Sequence, residues 1–293
     1  MTVRAATPLA EIEQRLARHH QMLAWEPPQF GVGATIGGAI ATGLSGPRRP
    51  YTGAARDYVL GLTCISGRGE IQAFGGRVIK NVAGFDVSRL MVGALGTLGV
   101  ILEISLKLLP APEAEATVVL SHDAASAIEH MNRLAMHRGL SATCHYEHRT
   151  YARFSGTSEG VRAAVAASGG EAVEEEGTAF WRALREQTHP FFRDDGRVLW
   201  RLSLAATAPP LPLPGDWLME WGGAQRWLKS DADAREIRAV VERHGGHATA
   251  FRGHQGVVSV FHPLLPVLEC VHMRLKDCFD PTGIFNRGRF FRS

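Results

Sequence analysis

Apolar residues in the first third of the chain recur with two periods, which divides it into short helices and strands. After Thr7-Pro8, Leu9, Ile12 and Leu16 return at spacings of three and four. This predicts an amphipathic helix running to about His19, with Thr7 as N-cap and Pro8 at the first helical position. Residues 22–25 read as a short strand stopped by Pro27 and Pro28. Residues 56–66 and 70–74 are extended runs joined by Gly67-Arg68-Gly69, a hairpin signal. Asp86 opens a short helix carrying Leu90 and Met91, and Gly96-Thr97-Leu98-Gly99 turns the chain into an alternating strand over 100–108.

Past Pro110 the pattern changes. Pro110 and Pro112 with Glu113 and Glu115 form an interdomain hinge. A strand over 116–121, a helix from Asp123 to about Arg138 and a strand over 141–148 follow, with a weaker version of the same unit over 161–173. A helix over 180–187, a strand over 198–204, the proline-rich connector 208–214, strands at 217–221 and 225–228, a helix over 231–244, a strand over 247–252 and a helix over 264–279 complete the prediction. The strand–helix–strand units suit a ferredoxin-like domain. The run Glu174 to Glu176 reads as a solvated charge cluster.

Composition narrows the function classes. At 293 residues and 45% hydrophobic content the chain is long enough for two domains with real cores. A net charge of +3 implies neither a nucleic-acid nor a membrane partner. Cys64, Cys144, Cys270 and Cys278 are scattered with no CxxC, which argues for reduced thiols in a cytoplasmic setting and against an iron–sulfur cluster held by this chain. The uncharged run around residues 30–47 is too rich in glycine and proline to read as a spanning helix, and no apolar core of signal-peptide length follows Met1.

That uncharged run, FGVGATIGGAIATGLSGP, has six glycines and no side chain able to do chemistry. Its use must lie in the backbone, where Gly37 and Gly38 allow close approach of main-chain N–H groups to a phosphate or a polar ring edge. Three glycine-rich segments, each followed by regular structure, fall inside about seventy residues here, an arrangement that suggests several backbones converging on one flat ligand.

Three segments, ATIGGAIATGLSGPRRPYTGAARDYVLG, KNVAGFDVSRLMVGALGTLGVILEISLKLLP and FDPTGIFNRGRFF, resemble the vanillyl-alcohol-oxidase-type (PCMH-type) FAD-linked oxidases, in particular the FAD-binding subunits of bacterial glycolate oxidases. The resemblance implies an α+β fold with FAD as cofactor: a PCMH-type FAD-binding domain over 1–110, a ferredoxin-like FAD-linked oxidase cap over 111–279, and a tail, 280–293, that returns to the flavin domain. Relatives carry a further subdomain, upstream of the helix at Leu9, whose glycine-rich loop holds the FAD pyrophosphate. TVRAATPLAEIE aligns with the strand and helix after it, so the resemblance implies a flavin domain truncated at its N-terminus.

Carried over by position, Gly37, Gly38, Ala41, Thr42 and Gly46 would lie along the ribityl and pyrophosphate part of FAD, and Thr52 and Gly53 near the ring. Lys80 and Asn81 match a Lys-Asn pair of the family. Gly96, Gly99, Val100 and Ile101 would make main-chain contacts, and Asn286 and Arg289 would approach the isoalloxazine, where a cation stabilises charge on N1 and O2 of the reduced ring. The histidines lack the paired spacing of a metal site, so no metal is expected. Arg252 and His254 are the candidates for a substrate site. The resemblance implies glycolate oxidation to glyoxylate in a complex with a paralogous larger FAD subunit and an iron–sulfur subunit, in the cytoplasm or at the inner face of the membrane through those partners. A self-sufficient FAD oxidoreductase for another 2-hydroxy acid and a non-catalytic accessory subunit that has lost FAD remain as alternatives.

Overall fold

The computed structural model describes residues 1–76, 85–173, 175–253 and 259–290. The chain divides into two compact units, one made of residues 1–46, 52–111 and 264–293, the other of 47–51 and 112–263. Helices and antiparallel sheets are mixed in it, as an α+β chain requires.

In the first unit β1 (Thr2–Arg4) leads into α1 (Leu9–Ala17), which buries Leu9, Ile12 and Leu16. The predicted cap is displaced by one residue: Pro8 is the N-cap, with extended backbone that proline tolerates, and the Leu9 N–H is satisfied by Ala34 O at 2.9 Å instead of by the Thr7 side chain. β2 is only Gln21–Met22, because its partner is the two-residue β6 introduced below, and Leu23, Ala24 and Trp25 enter the core without strand pairing. The glycine-rich run contains α2 (Ile36–Thr42), started by Thr35, whose hydroxyl accepts from Gly38 N at 3.2 Å, and stopped by Gly43 at φ 63°. A short helix, α3 (Arg49–Thr52), whose first three residues belong to the second unit, precedes β3 (Val59–Ile65), which forms the predicted hairpin with β4 (Ile71–Gly75). α4 (Val87–Leu90) is capped by Asp86, and β5 (Val100–Leu106) and β6 (Leu109–Pro110) follow. β5 lies between β1 and β3, giving a four-stranded antiparallel sheet in the order β1-β5-β3-β4. Ile104 and Leu106 of β5 meet α1, Ile36 and Ile40 of α2, Trp25 and Tyr58 in one core.

The second unit is built on one eight-stranded antiparallel sheet. β7 (Ala114–Ser121), α5 (Ala124–Leu134) and β8 (Leu140–Tyr146) form the expected strand–helix–strand unit, with Asp123 capping the helix. β9 (Arg149–Gly156) is an additional strand that periodicity does not reveal, because its residues 150–154 are buried without alternation. α6 (Ser158–Ser168), β10 (Glu171–Val173) and α7 (Glu175–Arg185) come next. Glu175 and Glu176, read from the sequence as part of a solvated run, occupy the first turn of α7, where their charge complements the helix dipole. β11 (Val198–Ser203), β12 (Asp216–Glu220), β13 (Gln225–Ser230), α8 (Ala234–Arg243) and β14 (His247–Arg252) complete the sheet, whose order is β10-β7-β9-β8-β12-β13-β11-β14. Between β11 and β12 the proline-rich connector is held by the buried Arg226, which donates to Gly223 O at 2.9 Å, Pro209 O at 2.7 Å and Ala208 O.

The last helix, α9 (Pro266–Phe279), was expected with the second domain but groups with the first unit. The reason lies in its C-terminal turn: Phe279 packs edge-on to Phe74 at 6.5 Å, its carbonyl accepts from Gly67 N at 2.9 Å, and Lys276 donates to Thr97 O at 2.7 Å.

Candidate functional site

In the first unit, three segments far apart in the chain meet at Leu95. Its N–H donates to Ala41 O at 2.8 Å, and its carbonyl accepts from Asn286 Nδ2 at 2.5 Å. Gly93 N reinforces the first contact by donating to Ile40 O at 2.9 Å. Gly96, at φ 66°, has to be glycine here, since a Cβ would stand 2.9 Å from Asn286 Nδ2.

The tail is held by a charged node beneath this junction. The Asp280 side chain is fully buried and accepts from Ile284 N at 3.0 Å, Phe285 N at 2.8 Å and the Lys276 ammonium, which also donates to Phe285 O at 2.8 Å. Burial works to raise the Asp280 carboxyl, but Lys276 and the two backbone N–H donors outweigh it and hold the group below its ordinary value. Neither Lys276 nor Asp280 was singled out by the sequence, although their i, i+4 spacing directly before Pro281 is a readable helix-stop signal.

Beside the junction opens a cleft of about 570 Å³. Leu90, Val92, Leu98, Met273 and Phe290 give it an apolar wall, and Lys276, Asn286, Arg287 and Arg289 a polar and cationic one. Arg287 is tied to Gly283 O and Thr282 O, whereas the Arg289 side chain makes no hydrogen bond among the described residues. This donor set fits part of a dinucleotide flavin, a flat apolar ring edged by groups that carry negative charge.

The expected cofactor residues are distributed unevenly around this point. Asn286 and Arg289 line the cleft; Ala41 and Gly96 stand at the Leu95 junction. Gly38 and Thr42 are exposed on α2, the Thr42 hydroxyl bonded to Ala39 O at 3.1 Å. Gly37 is a glycine for packing: its N–H donates to Ala5 O at 2.8 Å, and a Cβ would stand 2.7 Å from Ala5 Cβ. Gly46 is buried with its N–H on Trp25 O at 2.9 Å, and Thr52 donates to Ala24 O at 3.0 Å ahead of Gly53, which is at φ 105°. Gly99 is pressed against Ile65 O, Ile101 packs on the first core, and Val100 is exposed at the start of β5. Lys80, Asn81 and His254 lie outside the described residues. In the second unit Arg252 bonds Gln187 Oε1 at 2.6 Å and Phe192 O at 3.4 Å, so its guanidinium ties β14 to the segment after α7.

The subunit GlcE of the glycolate oxidase of Escherichia coli (strain K12) is 45% identical to this chain over 294 residues, covering 99% of the chain and 81% of that protein. The chain belongs to the GlcE family. Its residues 1–75 match the family described as FAD binding domain, which indicates FAD as the cofactor and places the chain among FAD-linked oxidoreductases. The glycolate oxidase subunit GlcD of Bacillus subtilis (strain 168) is 42% identical over 90 residues, 31% of this chain and 19% of that protein. Among solved structures, alkyldihydroxyacetonephosphate synthase shares the fold, with a TM-score of 0.66 over 99% of this chain at 14% identity; the chain spans 64% of its length. Among the described residues no helix is long and apolar enough to cross a membrane.

Proposed function

We propose that this chain is the FAD-binding subunit of a glycolate oxidase, working with a paralogous larger FAD subunit and an iron–sulfur subunit to oxidise glycolate to glyoxylate. The observation that carries this reading is the match to a glycolate oxidase subunit across 99% of the chain, supported by the meeting of Ala41, Leu95 and Asn286 beside a cleft with an apolar and a cationic wall. In this reading the first unit is the flavin domain and the second the cap. When bound, FAD supplies a two-electron acceptor for the hydride leaving the α-carbon of the acid.

The chain's own residues bind and orient. Leu90, Leu98 and Met273 exclude water from one wall of the cleft. Arg289 offers an unengaged guanidinium that would offset the negative charge of a reduced flavin ring. The Lys276–Asp280 node fixes the turn that carries Asn286 and Arg289. Arg252 and His254 are the sequence-level candidates for the substrate side.

The test is co-expression with the two partner subunits, followed by glycolate-dependent dye reduction and an absorbance spectrum of the separated chain. Flavin bands on this chain, and dye reduction lost with Arg289→Ala at constant subunit content, are expected. A colourless chain after incubation with FAD, in a complex whose activity does not depend on it, refutes the reading and favours an accessory subunit.

A further inference from the structure

The second unit holds a cationic site that the flavin cleft does not use. β12 and β13 are joined through Trp221, Gly222 and Gly223, and Trp221 stands at φ 58°, a costly backbone conformation for a bulky aromatic residue. The surroundings enforce it. Thr143 Oγ1 accepts from Gly222 N at 2.9 Å, and Asn132 Nδ2 donates to Gly222 O at 3.0 Å, to Ala206 O at 3.3 Å and to Ile128 O at 2.8 Å.

The result is an indole held against two guanidinium groups, with Arg49 4.4 Å and Arg201 5.5 Å from the ring centroid. Each cation gains from the ring, but the two oppose one another. Burial, then the Arg49 charge, push the Arg201 guanidinium down to about 10, with Glu220 acting in the opposite direction. Glu220 does not pair directly with Arg201: its carboxylate accepts from Trp227 Nε1 at 3.2 Å and Gln225 Nε2 at 3.3 Å, and Gln225 Oε1 accepts from Arg201 Nε at 2.7 Å. The two terminal nitrogens of Arg201 donate to nothing among the described residues. His247, pushed down by burial and by His262, feels the Arg201 charge as well. Arg252, by contrast, has both terminal nitrogens engaged.

We propose that Arg201, with Arg49 and the Trp221 ring, forms a binding site for the carboxylate of a small organic acid of the 2-hydroxy-acid class. The planar fork of Arg201 matches a carboxylate in two parallel hydrogen bonds, and the indole gives the carbon skeleton an apolar wall. The choice of ligand class rests on the glycolate oxidase reading; the site itself rests on this geometry.

The experiment titrates the full chain with oxalate, a planar carboxylate with no hydride to lose, at constant ionic strength, with sulfate as the control anion and tryptophan fluorescence and thermal stability as readouts. We expect saturable changes with oxalate that sulfate does not reproduce. They weaken about tenfold or more in Arg201→Gln, and in Arg201→Lys, which keeps the charge but loses the fork. Trp221→Phe abolishes the fluorescence change. If Arg201→Gln fails to fold, Arg201→Lys and Arg49→Gln carry the comparison. Equal effects of oxalate and sulfate, or wild-type titration by both Arg201 variants, overturn the proposal. No flavin or partner is needed for this titration: oxalate binding by a chain that stays colourless with FAD, in a co-expressed complex whose activity does not depend on it, supports this site and sinks only the function reading. Glycolate turnover with KM unchanged in Arg201→Gln overturns the site and spares that reading.

Discussion

Replacing Asp280 by asparagine, with side-chain shape unchanged, tests whether its buried charge holds the tail at the cleft. The carboxylate accepts three hydrogen bonds, from Lys276 and from the N–H groups of Ile284 and Phe285, and an amide presents at most one acceptor atom to those donors. Breaking a buried ion pair by removing one partner costs about 3–5 kcal/mol. Lys276 keeps the carbonyls of Thr97 and Phe285 and some solvent contact, so we expect the lower end, about 3 kcal/mol. For a protein of this size that corresponds to a fall of about 6–12 °C in the midpoint of the first unit's thermal transition. Because the Asp280 carboxyl is held below its ordinary value, its contribution is fully present above the unfolded carboxylate range and is lost as pH falls through the folded value. Wild type and Asp280→Asn should therefore converge in acid. Urea unfolding at neutral and acidic pH, with FAD affinity measured in parallel, checks both expectations. A variant within about 0.5 kcal/mol of wild type at neutral pH, with unchanged FAD affinity, refutes the view that this node holds the site.

Further outcomes follow from the same geometry. Gly37→Ala should destabilise by about 1–3 kcal/mol, as overpacking does, because its Cβ would overlap Ala5; Gly38→Ala meets nothing closer than Thr35 Oγ1 at 3.5 Å and should fold normally. Equilibrium unfolding compares the two, and weaker FAD binding by a normally folded Gly38→Ala would mark that backbone as a ligand contact. Arg226→Met leaves the carbonyls of Ala208, Pro209 and Gly223 without their donor and should cost about 2–3 kcal/mol in urea unfolding. Arg226→Lys should not restore it, since one ammonium lacks the span of the guanidinium. His145, lowered to about 4 by burial and by the charges of His122 and His148, with Glu147 and Asp123 acting in the opposite direction, is neutral in the folded chain. Its contribution is present above the ordinary histidine value and is lost as pH falls from there towards 4. His145→Asn should flatten this limb of a stability profile, and an unchanged limb would count against the assignment.

Local chemistry determined much of the fold from the sequence alone. The leucine and isoleucine spacing of α1, the Gly67-Arg68-Gly69 hairpin and the aspartate caps of α4 and α5 all rest on interactions within a few residues, which periodicity and turn residues report directly. β9 escaped because the β8–β9 turn places Glu147, not glycine or asparagine, at φ 54°, and because Thr150 and Arg153 are buried in it. The resemblance of three glycine-rich segments pointed to a flavin protein. Only the tertiary structure decided which of their residues meet: Asn286 reaches Leu95 across 191 positions, and Arg49 and Arg201 share one indole. Contacts of that kind depend on where the packed sheets bring distant backbones together, and no local pattern of side chains encodes that placement.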